Sequence, residues 1–162
     1  MSGGAHPDPA LMRRAIEAAR EGMLRGDGGP FGALIADREG NVLAVAHNTV
    51  LRGDATAHAE VNAIREACAR RGSPFLDGTV IYSTTEPCPM CFAAIHWARI
   101  AATWWGTRIG DVARLGFREL VIDNETMKRL GGSPVEIHAG LLRDECLALL
   151  ADWRRLPHRR TY

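Results

Sequence analysis

The 162-residue sequence has little net charge, few cysteines and no long apolar run. Its formal net charge is +1, so it lacks the basic surplus typical of a nucleic-acid-binding domain, and a nucleic-acid partner is the less favoured alternative. No apolar run is long enough to cross a bilayer, and charges are spread through the N-terminal region. We therefore expect a cytoplasmic protein with no secretion signal and no membrane partner.

The four cysteines are scarce, and their spacing separates them into two kinds. In a reducing compartment, cysteines are more often metal ligands or buried thiols than disulfides. Cys88 and Cys91 form a C-x-x-C pair, whereas Cys68 and Cys146 stand alone within helical patterns. The pair is the candidate for metal binding, and we expect the two single cysteines to be buried apolar thiols.

The hydrophobic patterns alternate between strand and helix along the whole chain. Predicted helices run from Pro9 to the glycines at 26–29 and cover Ala57–Arg71, Pro87–Ala98, 125–130 and Leu141–Arg154. Predicted strands cover Phe31–Ala36, Val42–Ala46, Thr79–Ser83, Ala102–Trp105 and Val135–His138, with 120–122 as a possible addition. This order predicts one α/β domain over residues 1–162, a three-layer α/β/α fold with a central mixed five-stranded sheet. We expect flexible tails at 1–7 and 157–162.

Two short motifs carry the chemistry, and each lies where a predicted helix begins. They are His58-Ala59-Glu60 and Pro87-Cys88-Pro89-Met90-Cys91. Catalytic zinc takes three protein ligands and leaves a fourth position open, so His58, Cys88 and Cys91 form a suitable set. A C-x-x-C pair alone could also be half of a structural zinc site or a redox pair, but neither alternative requires His58 and Glu60.

Glu60 lies two residues after the histidine, close to the predicted metal without being a ligand. That position suits a residue that moves protons between a metal-activated water and a substrate. The alternative is an ordinary solvated helix carboxylate. We favour the proton-shuttle role because the histidine and both cysteines accompany it.

These motifs resemble the cytidine-deaminase-like superfamily. The resemblance runs from Gly28–Ala33 through Asp54–Glu60 to Thr85–Cys91, and the chain looks most similar to bacterial guanine deaminases and tRNA adenosine deaminases. It implies zinc-dependent hydrolytic deamination, with guanine converted to xanthine and ammonia. The alternatives are tRNA adenosine-to-inosine conversion and deamination of cytosine, an aminated triazine, or another nucleobase or nucleoside. It also implies a homodimer.

The same resemblance supplies candidate residues around the substrate. Asp111 resembles a second acidic group over the substrate, although a helix N-cap is the ordinary role for such an aspartate. In the family, the C-terminal tail reaches the neighbouring subunit's site, which would bring Tyr162 there. Phe31 could instead be a core residue, and Asn48 a turn residue. The full substrate-binding set implied by the resemblance is Phe31, Asn48, Ala57, Trp97 and Tyr162.

Overall fold

The computed structural model describes residues 6–162 as a five-stranded mixed sheet between two layers of helices. This confirms the predicted three-layer α/β/α architecture. The strands are β1 Gly32–Asp37, β2 Val42–His47, β3 Thr79–Thr85, β4 Ala102–Thr107 and β5 Glu136–Ala139. The helices are α1 Pro9–Arg25, α2 Ala59–Arg71, α3 Pro89–Trp97, α4 Ile109–Ala113, α5 Asn124–Gly131 and α6 Arg143–Arg155, and a 3₁₀ turn covers Val50–Arg52.

The sheet has the strand order β2-β1-β3-β4-β5. Strand β1 is antiparallel to both β2 and β3, whereas β3, β4 and β5 run parallel. As a result, β2, β3, β4 and β5 all end at one edge of the sheet, where β1 begins. Loops from all five strands therefore meet at this edge, as is usual for ligand sites in α/β sheets.

Alternating side chains on the central strands divide the core into two. Leu34 of β1 and Tyr82 of β3 belong to the cluster that packs against α1 and α6. Their neighbours Ile35 and Ile81 belong to the opposite cluster, with α2 and α3. Because successive strand residues point to opposite faces, one apolar strand can serve both layers.

Helices α2 and α3 begin two residues later than the sequence predicted. His58 and Cys88 are consequently N-cap residues with extended backbones, at φ −67°, ψ 156° and φ −63°, ψ 167°. Cys88 precedes Pro89, and the proline ring disfavours helical geometry in the residue before it. The chain therefore turns at each ligand before its helix starts.

The short strand considered at 120–122 is coil in the structure. Val121 and Ile122 are β-branched and favour a strand, but the segment pairs with none of the five strands of the sheet. Leu120 and Val121 instead point outward, with 66% and 67% of their surface exposed.

The two predicted tails have different outcomes. Most of the N-terminal tail, residues 1–5, lies outside the described residues. At the other end Tyr162 is half-buried, and its backbone carbonyl accepts a hydrogen bond from the Arg118 amide at 2.8 Å. The end of the chain is thus packed against the domain rather than free. Among residues 6–162, no helix is long and apolar enough to cross a membrane.

Candidate active site

The three predicted zinc ligands come together at the strand-end edge. The donor atoms of His58, Cys88 and Cys91 all lie within 4.8 Å of one another. His58 stands at the start of α2, Cys88 at the start of α3, and Cys91 one turn further along α3. Two adjacent helix starts therefore converge on one point.

The cluster has the dimensions of a tetrahedral zinc site. Nδ1 of His58 lies 3.6 Å from Sγ of Cys88 and 3.5 Å from Sγ of Cys91. Zinc bonds of about 2.0–2.1 Å to nitrogen and 2.3 Å to sulfur, at a tetrahedral angle, require a separation of about 3.6 Å. These residues therefore fit a zinc ion held by three protein ligands.

The electrostatics of the cluster favour metal binding as well. The Cys91 hydrogen bond lowers the pKa of Cys88 to about 4, against the effect of burial, and His58 contributes to the same shift. Cys88 is therefore a thiolate at neutral pH, the form that binds metal. Burial disfavours a charged His58, yet the bond to Cys88 raises the pKa of this histidine above its ordinary value. Cys91 stays protonated without metal, because its bond to Cys88 raises its pKa, so metal binding must release protons.

Glu60 lies in the first turn of α2 and is 6% exposed. Burial raises its pKa, and the nearby Cys88 thiolate adds to the shift. The Ser83 hydroxyl lies 2.8 Å from Glu60 Oε1 and 2.6 Å from the Thr85 carbonyl oxygen. Ser83 has one hydrogen for these two acceptors, so both contacts are hydrogen bonds only when Glu60 carries a proton. The surroundings of Glu60 therefore accommodate its protonated form as well as its ionised form.

A second carboxyl group, Glu119, lines the same cavity as Glu60 and His58. Burial raises its pKa to about 7, assisted by the negative charge of Cys88. Sequence reasoning missed this residue. The available signal was an acidic residue two positions after Phe117, beside an apolar run, but the spacing alone does not show that it faces inward.

Three of the predicted substrate-binding residues also line this cavity: Phe31, Asn48 and Tyr162. Asn48 is fully buried. Its Oδ1 accepts from the Val50 amide at 3.1 Å, while its Nδ2 finds no hydrogen-bond partner within residues 6–162. The buried Tyr162 hydroxyl likewise forms no bond of standard geometry in the described chain, but the Gly29 backbone and the Asn48 side chain lie close enough to lower its pKa against the larger effect of burial. Burying polar groups without partners is costly, so Asn48 and Tyr162 are available to each other and to a polar ligand.

Aromatic rings close the cavity on one side. Phe117 packs edge-on against Phe31 and Tyr162, with ring centroids 5.2 and 5.1 Å apart. Tyr162 also lies over the metal cluster, its ring 6.4 Å from that of His58. The tail thus covers its own chain's site, whereas the resemblance had placed it in a neighbouring subunit. The cavity itself has a volume of only about 20 Å³, and a separate pocket of about 310 Å³ beside it is lined by His58, Phe117 and Tyr162.

The structure places Asp111 away from this cavity, which corrects its prediction as the second acid. Its carboxylate accepts from the Arg108 amide at 2.8 Å, as a cap at the start of α4, and pairs with Arg143 at 2.8 Å. Arg143 holds the pKa of Asp111 below its ordinary range. An ionised, paired carboxylate has no proton to deliver, and Glu119 rather than Asp111 lines the cavity with Glu60.

Trp97 and Ala57 are not brought into the cavity either. Trp97, at the end of α3, is 77% exposed and lines a separate groove with Phe75 and Arg99. Ala57 is buried beside His58, and its carbonyl accepts from the Thr49 amide at 2.9 Å. Ala57 therefore helps to shape the loop that carries Asn48.

Comparison with known proteins supports this interpretation of the site. The sequence profile of the cytidine and deoxycytidylate deaminase zinc-binding region matches residues 6–107. Guanine deaminase of Bacillus subtilis (strain 168) is 38% identical over 153 residues, which is 94% of this chain and 97% of the relative. The tRNA-specific adenosine deaminase of the same organism is 30% identical over 149 residues, covering 91% of this chain and 89% of the relative.

A solved structure of guanine deaminase from Nitrosomonas europaea has the same fold. It superposes with a TM-score of 0.84 at 32% sequence identity and covers 94% of this chain and 87% of its own. The matched profile includes all three ligands and Glu60, and the three ligands have zinc-site spacing. The chain therefore belongs to the cytidine and deoxycytidylate deaminase zinc-binding family, whose members are zinc-dependent hydrolases of carbon–nitrogen bonds.

Proposed function

We propose that this protein deaminates guanine, converting guanine and water to xanthine and ammonia. The observation that carries the proposal is the covered cavity in which Glu60, Glu119 and the unpaired amide of Asn48 surround the zinc cluster. Similarity to guanine deaminases over nearly the whole chain supports it. With Tyr162 over the metal cluster the cavity has a volume of only about 20 Å³, so the tail has to move aside before a base can reach the metal.

His58, Cys88 and Cys91 would hold a zinc ion, which would supply Lewis-acid activation of a water molecule. Glu60 accepts a proton from this water while the oxygen bonds to carbon 2 of guanine, and it delivers the proton to the neighbouring ring nitrogen. Glu119, neutral below about pH 7, then gives a proton to the exocyclic amine. The bond between carbon 2 and this nitrogen breaks, ammonia leaves, and the remaining hydroxyl proton passes to Glu60. Loss of this proton from Glu60 to solvent and uptake of one by Glu119 restore both side chains.

Recognition of the base falls to the other residues of the cavity. The free Nδ2 of Asn48 can donate to an acceptor on the purine edge, and the Tyr162 hydroxyl can donate or accept. Phe31 presents an apolar ring from the sheet side. Together these groups hold a flat, polar-edged ring with its amine-bearing carbon towards the metal.

The test is ammonia release from zinc-loaded protein with guanine, guanosine, cytosine, cytidine, adenine, adenosine or ammeline. We expect release from guanine, and a Glu60→Gln variant that retains zinc but loses about a hundred- to ten-thousand-fold in turnover. Release only from a tRNA anticodon stem-loop would reject guanine in favour of tRNA adenosine deamination. Full activity in Glu60→Gln would reject the proton-shuttle role.

We also propose that the protein is a cytoplasmic homodimer. None of the four cysteines forms a disulfide, as is usual in a reducing compartment. Trp97, Leu120 and Val121 are large apolar residues that are more than 60% exposed, and a second copy could cover them. Light scattering should give twice the chain mass, and Trp97→Arg should shift the protein towards monomer. A wild-type monomer at micromolar concentration would contradict the proposal.

A further inference from the structure

Glu86 is a buried acidic residue that the mechanism above does not use. It follows β3, stands two residues before Cys88, and is 4% exposed. One carboxylate oxygen accepts from the Ile109 amide at 3.2 Å, and the other accepts from the Asn124 amide at 3.0 Å. These amides belong to the first residues of α4 and α5, so one side chain caps the starts of two helices.

The chain between those two helix starts carries Glu119 over the site. The segment begins at Ile109, whose amide bonds to the Glu86 carboxylate, and continues through α4 and then as coil past the cavity. It ends at Asn124, whose amide bonds to the same carboxylate. Residues 117–123 contain no helix or strand. The position of Glu119 therefore depends on where this segment is anchored.

The side chain of Asn124 also bonds to the turn that precedes Cys88. The Asn124 side chain is fully buried, and its Nδ2 donates to the Pro87 carbonyl oxygen at 2.6 Å. The backbone amide of Asn124 thus donates to the Glu86 carboxylate, while the side-chain amide of Asn124 donates to the Pro87 carbonyl. The pair joins the segment that carries Glu119 to the residue before Cys88.

A carboxylate is well suited to this task. It presents two acceptor oxygens, and the first amides of a helix are donors without intrahelical partners at the positive end of the helix dipole. A glutamine in this place would offer one acceptor oxygen and one NH₂ donor, and it would set that donor against a backbone N–H. The geometry thus requires the acid rather than a side chain of the same size.

We propose that Glu86 is a positioning residue that fixes Glu119 over the zinc cluster by clamping both ends of the segment 109–124. The proposal rests on the proposed function to the extent that Glu119 acts in the reaction. It predicts that Glu86 influences turnover through Glu119, although its own carboxylate is bonded to backbone amides.

The kinetic test is a double-mutant cycle with Glu86→Gln and Glu119→Gln. We expect Glu86→Gln to keep its zinc, to lower kcat by about tenfold or more through misplacement of the second acid, and to change KM much less. In the Glu119→Gln background, the same substitution should change kcat by less than about twofold, because the group it positions is already gone. Equal effects in both backgrounds would overturn the proposal.

Asp123→Ala is the matched control for helix stability. It removes the cap bond from Asp123 to the Thr126 amide at 2.6 Å, but leaves both bonds of Glu86 in place. It should weaken α5 and leave kcat near the wild-type value. If Asp123→Ala lowers kcat as much as Glu86→Gln does, loosening of the helix explains the loss and the clamp is rejected.

Hydrogen exchange measured by mass spectrometry tests the clamp without any activity. Amides of residues 114–123 should exchange faster in Glu86→Gln than in the wild type and in Asp123→Ala. Unchanged exchange would overturn the proposal even if kcat falls. If the wild type releases no ammonia from guanine, the proposed function fails, and the exchange comparison still decides the clamp. Should Glu86→Gln not fold, Asn124→Ala cuts the bond to Pro87 and is expected to give the same exchange pattern.

Discussion

The two sides of the cavity are built differently. One side, which we call the floor, comprises the metal cluster, Glu60 and Asn48, and its residues sit at strand ends and helix starts. The other side, the cover, comprises residues 114–123 and 157–162, which form coil apart from turns. Glu60 on the floor is 6% exposed, whereas Leu120 beside the second acid is 66% exposed.

This difference separates two tasks. Metal binding and water activation need fixed distances, and regular elements packed on both faces of a sheet provide them. Entry of substrate and release of product need movement, which coil held by a few hydrogen bonds permits at lower cost. The contrast predicts that damage to the floor abolishes the reaction, while damage to the cover alters its rate or affinity.

The largest effect should follow from removing a zinc ligand from the floor. Cys88→Ser removes the cluster's low-pKa thiolate, so zinc content should fall from about one ion per chain to nearly none, and ammonia release should fall to background. Cys68→Ser, outside the cluster, is the control and should keep both. Elemental analysis measures the zinc content, and the ammonia assay measures the activity. Full zinc content in Cys88→Ser would contradict the assigned ligand set.

The next effect distinguishes Glu119 from Asp111 as the second acid of the reaction. Glu119→Gln should keep zinc and lower kcat by about a hundredfold, within the range for positioned proton transfer. Asp111→Asn should weaken the pair with Arg143 and lower the melting temperature, with kcat close to wild type. Steady-state kinetics and thermal melts on the same samples measure kcat and the melting temperature of both variants. The reverse pattern would restore Asp111 as the second acid.

The same division between floor and cover marks how far the sequence could predict the molecule. His58, Glu60, Cys88 and Cys91 follow from residue type and local spacing, because each ligand lies beside a helix start. The five strands follow from apolar runs between turn residues. The exact helix starts do not, since N-cap geometry depends on the proline after Cys88 and on the turn before Ala59.

The cover was less predictable for a physical reason. Whether Asp111 or Glu119 faces the metal depends on long-range contacts. Asp111 is held by Arg143, and the segment that carries Glu119 is held at both ends by Glu86. Local spacing carries no information about those partners. Likewise, residues 120–122 have strand-like side chains, but whether they form a strand depends on whether a sheet edge is free for them.

A smaller effect is expected from opening the cover. Tyr162→Ala removes the ring that packs on Phe117 and closes the cavity, so KM for guanine should rise by about tenfold, the equivalent of roughly 1.4 kcal/mol. Tyr162→Phe keeps the ring and should stay much closer to wild type. Zinc content should be unchanged in both variants. A KM unaffected by Tyr162→Ala would show that the tail plays no part in binding.

The smallest effect concerns the anchoring of the floor by Asp27. Its buried carboxylate bonds His47 at 2.8 Å and Arg52 at 2.8 and 3.0 Å, on either side of Asn48. Burial opposes its ionisation, but the bonds to His47 and Arg52 outweigh this effect and lower the pKa of Asp27. Asp27→Asn should therefore cost about 1–2 kcal/mol near neutral pH, or roughly 3–6 °C in melting temperature for a chain of this size.

The pH dependence of that loss tests its cause. Because the folded-state pKa lies below the unfolded value of about 3.9, the ionised Asp27 stabilises the fold above that pH, and the benefit is lost as pH falls through it. The difference in melting temperature between wild type and Asp27→Asn should thus be present at neutral pH and shrink below about pH 4. Asp152→Asn, which breaks a more exposed pair with Arg20, is the control and should cost less. A difference that grows towards acid would mean that burial governs Asp27, and that the Asn48 loop is held by other contacts.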